Sequence, residues 1–303
     1  MTAQKTATGP LKNLRVLEVG VLLAGPVCGQ ILGDMGADVV KVEPPGNPDP
    51  LREWGAVKPN GVSVWFSIVG RNKRCITLDL RTQDGQNTFK ALAQTADIVV
   101  ENFRPGTLEK WGLSYDELSA ENPGLILVRV SGYGQSGPKS GEAGYASVGE
   151  AFGGLRYVMG EPDRPPSRAG ISLGDTLAAM NGALGALAAL EHRRNTGKGQ
   201  IVDSAIYEAC FSMMESLVPD YQFGERIRER TGSYLPGVAP SNIYPATDGM
   251  IIIAANQDSV WKRLCEAMGS PELANDVRFQ NHETRGANQK ELDSLISNWT
   301  LRH

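Results

Sequence analysis

Residues 14–42 contain the pattern that most restricts how this chain can fold: an apolar strand, a helix and a second apolar strand in immediate succession. The first strand is predicted at residues 14–19 (LRVLEV) and the second at residues 37–42 (ADVVKV). The helix between them has Pro26 near its start and Gly36 after its end, which are the positions these residues prefer at helix boundaries. Such a unit predicts two neighbouring parallel strands joined by a crossover helix.

The same alternation continues along the chain. Further strands are predicted at residues 75–80, 97–100, 125–130 and 200–205, with a helix at residues 85–93. Each strand ends in polar or glycine-rich residues, and open parallel sheets bind their ligands at that edge. The predicted fold class is therefore α/β, with a doubly wound, mainly parallel Rossmann-like sheet.

Two changes in composition indicate how the chain divides into domains. Gly, Ser, Pro and Tyr dominate between residues 132 and 174, and a loop-rich stretch of this length is usually functional or disordered. From residue 224 the chain becomes charged and then rich in Gly and Pro. We therefore predict a large α/β domain over residues 1–223, followed over residues 224–303 by a linker and a smaller α+β domain.

Composition argues against several classes of partner. The 303 residues carry a net charge of −4, which gives no reason to expect nucleic acid or an anionic membrane as a partner. The four cysteines have no paired or metal-like spacing and are typical of reduced thiols in a cytosolic protein. No apolar run reaches membrane-spanning length, and no signal or transit peptide is evident. The predicted location is the cytoplasm.

Asp175 stands on a small-residue turn at the start of the longest apolar helix predicted in the chain. An aspartate in this position accepts hydrogen bonds from the unpaired backbone N–H groups of the first turn. Taken by itself, the local pattern favours a helix N-cap over a catalytic role.

Three other segments could meet a phosphorylated ligand. The turn at residues 20–26 lacks the glycine spacing of a dinucleotide fingerprint, so a tight strand-to-helix connection is favoured there over nicotinamide binding. The basic cluster at residues 71–74 is either a solvated turn or a set of groups that neutralises phosphate. Residues 101–106 (ENFRPG) suit an adenine and its phosphates, and equally suit ordinary turn chemistry.

The three histidines lie outside the Gly- and Ser-rich loops. They are His192, His282 and His303. The sequence therefore shows no evident Ser–His or Cys–His pair and no zinc-ligand set, and we predict a site without a metal.

Seven motifs, in the same order and across nearly the whole chain, resemble family III CoA-transferases, the group of formyl-CoA transferase and carnitine CoA-transferase. The motifs are AGP at residues 24–26, GDMGADVVKVE at 33–43, NKR at 72–74, ENFRPG at 101–106, GYGQSGP at 132–138, LGD at 173–175 and TGKGQ at 196–200.

The resemblance implies that Asp175 is a nucleophile. In the family this aspartate attacks the thioester of the donor to give a mixed anhydride and CoA thiolate. The thiolate then forms an aspartyl-CoA thioester, and the acceptor carboxylate takes over CoA by the reverse steps. A carboxylate suits this role because it is already ionised near neutral pH and needs no general base. The positive end of a helix would help to hold it ionised.

The resemblance also implies acyl-CoA and a carboxylic acid as substrates, and a set of residues that contact CoA. That set is Leu23, Ala24, Asn72, Lys73, Arg74, Asn102, Phe103, Arg104, Lys110 and Tyr145. Two positions depart from the family pattern. Pro44 replaces an arginine that contacts CoA in some members, and Leu23 replaces a polar residue of the formyl-specific enzyme, which puts formate and oxalate in doubt as substrates.

Two alternatives to CoA transfer stay open. The sister activity is α-methylacyl-CoA racemisation, in which a histidine and the aspartate exchange a proton at the α-carbon. Tyr145 occupies the position of that histidine, and a phenol with an ordinary pKa near 10 is a poor base at neutral pH. Transfer is therefore favoured over racemisation. The third possibility is a CoA-binding protein without catalysis.

The resemblance raises one expectation about length and assembly. Family members run longer, and their return segment from the small domain locks two subunits into an interlocked homodimer. Because this sequence stops at His303, we expect a fragment or truncated form that lacks the return segment.

Overall fold

The structure, a computed structural model, describes residues 8–303. These residues form two compact units, each with its own core. The first unit comprises residues 8–155 and Ala169–Gly224, and the second comprises Arg156–Arg168 and Glu225–His303.

The segment Arg156–Arg168 groups with the second unit, whereas the predicted boundary placed it in the first. Hydrogen bonds within the second unit explain this. The Tyr157 hydroxyl lies 2.7 Å from both carboxylate oxygens of Glu229, and Arg230 donates to the Tyr157 carbonyl oxygen at 2.9 Å.

The first unit is built on a sheet of parallel strands. Its strands are β1 (Arg15–Glu18), β2 (Asp38–Glu43), β3 (Lys73–Thr77), β4 (Ile98–Glu101), β5 (Ile126–Ser131) and β6 (Ile201–Ala205). Across the described residues these strands lie in the order β3-β2-β1-β4-β5-β6, and every neighbouring pair is parallel. The chain reverses direction across the sheet between β1 and β4, as in a doubly wound Rossmann-like fold. The predicted α/β fold class is confirmed.

Helices cover both faces of this sheet. They are α1 (Ala24–Asp34), α2 (Val64–Val69), α3 (Gln83–Ala93), α4 (Thr107–Lys110), α5 (Tyr115–Glu121), α6 (Ala146–Phe152), α7 (Leu173–Thr196), α8 (Ile206–Phe211) and α9 (Leu217–Gly224), with short 3-10 turns at Pro50–Arg52 and Pro59–Gly61. One face packs on α1, α7 and α8, and the other packs on α3 and the segment that contains α4 and α5. Burial on both faces explains why the four inner strands β1, β2, β4 and β5 are mainly apolar.

Helix α7 is apolar enough and long enough to cross a membrane by length and composition alone, although the sequence analysis found no such run. In the structure its small residues face the sheet. A Cβ atom added at Gly182 would lie 3.1 Å from Val128. Ala178 and Ala186 are fully buried, so α7 packs as a core helix of the first unit.

The second unit has a smaller core. It contains a two-stranded antiparallel sheet, β7 (Ser241–Pro245) and β8 (Met250–Ala254), a 3-10 turn at Pro271–Asn275, and the helices α10 (Asp258–Ala267), α11 (His282–Ala287) and α12 (Gln289–Thr300). Tyr244, Trp261 and Phe279 are buried at its centre. Strand β7 lies in the Gly- and Pro-rich stretch that the sequence analysis took for a linker.

Candidate active site

Asp175 lies in the first turn of α7. The helix begins at Leu173, two residues earlier than predicted, and Ser172 occupies the N-cap position. The interpretation of Asp175 as the N-cap is therefore wrong. Its half-buried carboxylate is the acidic group of the first turn of a 24-residue helix, where the positive end of the helix dipole stabilises a negative charge.

The start of α7 lies at the carboxyl edge of the sheet. Ile206 directly follows β6, and a Cβ atom added at Gly174 would lie 3.1 Å from the Ile206 side chain. Ser204, near the end of β6, donates a hydrogen bond to the carbonyl oxygen of Ala178 at 2.9 Å. These contacts place Asp175 at the edge where Rossmann-like sheets bind ligands.

A second carboxylate, Glu150 of α6, lies beside the first turn of α7. It is only 2% exposed, and its Oε1 accepts a hydrogen bond from the Gly174 N–H at 3.1 Å. Burial, and then the charges of Glu150 and Asp175, raise the pKa of the Cys210 thiol to about 11. Glu150 was not among the predicted site residues because α6 lies in a stretch whose composition is typical of a loop.

The same edge of the sheet holds a cavity of about 300 Å³, called here the edge cavity. It is lined by segments that follow the first four strands. The lining residues are Val19, Val21, Val42, Pro44, Asn47, Pro48, Pro50, Leu78, Asp79, Leu80, Arg81, Phe103 and Trp111. Apolar side chains dominate, and polar groups lie at Asn47, Asp79 and Arg81. A cavity of this composition suits a flat aromatic group with polar substituents.

Two aromatic rings form one wall of the edge cavity. Phe103 and Trp111 meet edge to face with their ring centres 5.3 Å apart. The Phe103 N–H donates to Glu101 at 2.6 Å, and Arg129 donates to the other oxygen of Glu101 at 2.7 Å. Burial raises the pKa of Glu101, and Arg129 opposes that shift. The buried pair thus fixes the loop that carries the ring of Phe103.

Asn102 holds the turn after β1. Its Oδ1 accepts from the Val21 N–H at 2.8 Å, and its Nδ2 donates to the Val21 carbonyl oxygen at 2.9 Å. A Cβ atom at Gly20 would lie only 2.6 Å from Asn102 Oδ1, which explains the glycine there. Leu23 and Ala24 follow this turn, and their side chains are buried. Neither residue lines the edge cavity, and their assignment as CoA contacts stays a prediction.

The predicted contacts Arg104, Lys110 and Tyr145 are exposed groups of the first unit. Arg104 lines a smaller cavity of about 60 Å³, which shares Phe103 with the edge cavity, and Lys110 directly precedes Trp111. Within residues 8–303 neither cation forms an ion pair. Tyr145 is 65% exposed at the N-cap position of α6.

The structure does not bring Asn72, Lys73 and Arg74 to the edge cavity. They lie at the amino end of β3, and their side chains bind acidic residues of the protein itself. Asn72 donates to Asp34, Arg74 binds Asp38, and the buried Lys73 ammonium lies 2.7 Å from Glu18. Their assignment as CoA contacts stays a prediction.

Residues 78–81, at the other end of β3, line the edge cavity instead. Residues 78–80 were predicted as part of the strand, but β3 ends at Thr77. Their position just after an apolar run was the signal that could have found them. No group of three or more His, Cys, Asp or Glu in the described part of the chain is placed to hold a metal ion, and the metal-free site stays a prediction.

Comparison with known proteins gives one consistent result. The family model for CoA-transferase family III matches residues 11–303. The chain is 57% identical to a succinyl-CoA–D-citramalate CoA-transferase of Chloroflexus aurantiacus, over 97% of this chain and 73% of that protein. It is also 33% identical to a succinyl-CoA:glutarate CoA-transferase of Mus musculus, over 95% of this chain and 66% of that protein.

Solved structures agree with the sequence relatives. A CaiB/BaiF family protein from Brucella suis superposes with a TM-score of 0.85 at 36% identity, over 97% of this chain and 79% of that chain. Rv3272 from Mycobacterium tuberculosis superposes with a TM-score of 0.85 at 33% identity, over 97% of this chain and 78% of that one.

Proposed function

Because the chain belongs to CoA-transferase family III, we propose that it transfers CoA from succinyl-CoA to a free dicarboxylic acid through covalent intermediates on Asp175. The observation that carries the proposal is the position of the Asp175 carboxylate. It lies at the positive end of α7, on the same edge of the sheet as the aromatic-walled edge cavity. The donor and acceptor classes are proposed from the relatives, which are named as CoA-transferases of succinyl-CoA with D-citramalate, L-malate, mesaconate or glutarate.

The proposed reaction consists of acyl transfers that need no proton transfer. An oxygen of Asp175 attacks the thioester carbonyl, the C–S bond breaks, and CoA leaves as a thiolate. The thiolate sulfur then attacks the Asp175 carbonyl carbon of the mixed anhydride, which releases succinate and leaves an aspartyl-CoA thioester. The acceptor carboxylate repeats both steps in reverse and departs as its CoA thioester. A carboxylate nucleophile fits this sequence because it is reactive in its ordinary ionised form.

We place the adenine of CoA in the edge cavity, against Phe103 and Trp111. The cationic side chains of Arg104 and Lys110 lie on the loop and helix that carry these rings, where they can meet the phosphates. Arg81 also lines the cavity, and Asp79 binds its guanidinium at 2.8 and 2.9 Å.

Replacing Trp111 with alanine should weaken CoA binding about tenfold or more, because an aromatic ring stacked on a base contributes about 1–3 kcal/mol. Isothermal titration of the purified protein with free CoA measures the change. Trp299→Ala, in the second unit, is the matched control and should bind CoA like the parent protein. Equal affinity of the Trp111 variant and the parent protein for CoA would contradict the proposed position of the adenine in this cavity.

The assay of the proposed function is CoA exchange between succinyl-CoA and labelled free acids. D-citramalate, L-malate, mesaconate and glutarate form the test panel, with acetate as the monocarboxylate control. We expect exchange with at least one dicarboxylate and little with acetate. Deuterium wash-in at the α-carbon of a 2-methylacyl-CoA would instead identify a racemase. CoA binding with neither reaction would identify a protein without catalysis.

We also propose that the protein acts as a cytoplasmic homodimer. Apolar side chains that a monomer leaves in water support the dimer. On α7, Met180 and Leu184 are 48% and 62% exposed, and Phe223 of α9 is 89% exposed. Exposed apolar surface of this kind is typical of an interface with another chain.

A further inference from the structure

Four charged side chains are buried together behind the turn that follows β1. This buried charge cluster consists of Glu18, Lys41, Asp49 and Lys73, whose side chains are each at most 1% exposed. The Lys41 ammonium lies 3.0 Å from Glu18 and 2.8 Å from Asp49, and it donates to the Gly20 carbonyl oxygen at 2.8 Å. Lys41 thus donates hydrogen bonds to Glu18 and Gly20, and its contact with Asp49 is an ion pair.

Asp49 connects this cluster to the turn. While its Oδ2 binds Lys41, its Oδ1 accepts hydrogen bonds from the Leu22 N–H at 3.0 Å and the Leu51 N–H at 2.9 Å. Leu22 has a φ angle of 62°, in the left-handed region that a branched side chain rarely adopts. Such a conformation persists only where its surroundings enforce it, and Asp49 supplies a hydrogen bond that does so.

The sequence neighbours of Asp49 and of Leu22 form a wall of the edge cavity. Val21 lies next to Leu22, and Pro48 and Pro50 flank Asp49 itself, and all three line the cavity. Asp49 is buried, so it supports this wall from behind without lining the cavity. The backbone N–H of Asp49 in turn donates a hydrogen bond to the Glu43 carboxylate at 2.9 Å.

We infer that Asp49 is a positioning residue for CoA, which fixes the turn after β1 and the loop at residues 47–50 in the conformation that closes the edge cavity. The inference rests on the proposed function in that it takes CoA as the occupant. Pre-organising a wall before the ligand arrives improves affinity, because the ordering cost is met during folding. The effect should therefore appear in CoA binding and not in the chemistry at Asp175.

The test is Asp49→Asn. The single oxygen of an amide can face either the two backbone N–H groups or the Lys41 ammonium, so one of these contacts is lost while the shape is kept. We expect the Kd for CoA and the KM for acyl-CoA to rise about tenfold while kcat stays within about threefold. Hydrogen exchange at the amides of residues 21 and 22 should accelerate.

Asp97→Asn is the matched control. Asp97 likewise accepts a backbone N–H, from Arg15 at 2.7 Å, and binds a cation, Arg193, at 2.9 Å. It precedes β4 at the amino edge of the sheet, away from the cavity. This variant should lose stability and keep the parent Kd for CoA. If Asp49→Asn fails to fold, Glu43→Gln, which loosens the Asp49 N–H contact, should raise the Kd about threefold.

The outcomes separate this inference from the proposed function. Unchanged CoA affinity in Asp49→Asn, or equal weakening in Asp97→Asn, would overturn the positioning role. A fall in kcat with an unchanged KM would overturn it as well. If the parent protein binds CoA but transfers it to no acid, the proposed function fails while the binding comparison still decides the inference. If the parent protein does not bind CoA, both fail.

Discussion

Replacing Asp175 with alanine should abolish CoA transfer, lowering the exchange rate at least about a thousandfold, because the nucleophile that carries both covalent intermediates is lost. CoA binding should stay within about twofold, since the edge cavity is lined by segments that follow β1 to β4 and not by α7. Exchange of label between succinyl-CoA and free succinate measures the first effect, and calorimetry with CoA measures the second.

The control for this experiment is Asp116→Ala. Asp116 is also an acidic residue in the first turn of a helix, here the exposed start of α5, so the substitution removes the same kind of group without touching the site. It should leave the rate of exchange unchanged. Hydroxylamine added during turnover of the parent protein should convert Asp175 to a hydroxamate, detected by peptide mass. Substantial CoA exchange by the Asp175→Ala variant would contradict the role of Asp175 as the nucleophile.

Much of the first unit could be predicted from the sequence because its strands are buried on both faces. Strands β1, β2, β4 and β5 were each predicted to within a residue or two. Strand β6, at one edge of the sheet, was also predicted to within a residue, whereas β3, at the other edge, was misplaced because it begins with basic residues and is largely exposed. The start of β3 carries Lys73 and Arg74, which read as a solvated turn but lie in the strand and bind Glu18 and Asp38.

The residues that the prediction missed share a physical reason. Asp49 and Glu150 are charged, and charged residues are rarely buried, so nothing in the local pattern marks them as interior. Their partners come from distant parts of the chain. Glu150 accepts from the N–H of Gly174, and Asp49 accepts from the N–H of Leu22. The role of Asp175 as nucleophile was implied by the resemblance of seven motifs and stays a prediction, and its place within the first turn of α7 was not predicted, since helix ends vary by a residue or two.

Replacing Lys41 with methionine should have the largest effect on stability, a loss of about 3–5 kcal/mol in the free energy of unfolding of the first unit. Methionine fills similar space but removes the cation paired with Asp49, one of the two cations beside Glu18, and the donor to the Gly20 carbonyl oxygen. Burial works to lower the pKa of Lys41, but the adjacent Glu18 and Asp49 carboxylates outweigh it and hold the pKa above its ordinary value. The charge is therefore retained in the folded protein at neutral pH, and its removal is the change that matters.

The stability of each unit can be followed separately through its buried cysteines. Cys28 is fully buried in the first unit, and burial followed by the charge of Glu18 raises its pKa to about 12, so it reacts with an alkylating reagent only when that unit opens. Cys265 is fully buried in the second unit. With urea, alkylation of Cys28 in Lys41→Met should begin at a lower concentration, while alkylation of Cys265 keeps its parent midpoint.

Two further variants decide whether the buried charge cluster is the cause of that loss. Lys90→Met removes an exposed lysine whose ammonium lies 3.7 Å from Glu117, and a surface pair of this kind contributes about 0–1 kcal/mol. In the double variant Lys41→Met/Asp49→Asn, the carboxylate that loses its cation is itself neutralised. Its loss in free energy of unfolding should therefore be smaller than the sum of the losses in the two single variants. Strict additivity, or a Cys28 midpoint equal to that of Lys90→Met, would mean that Lys41 does not hold the cluster together. A coupling of about 1 kcal/mol or more would show that Lys41 and Asp49 act as one unit beneath the turn that closes the edge cavity.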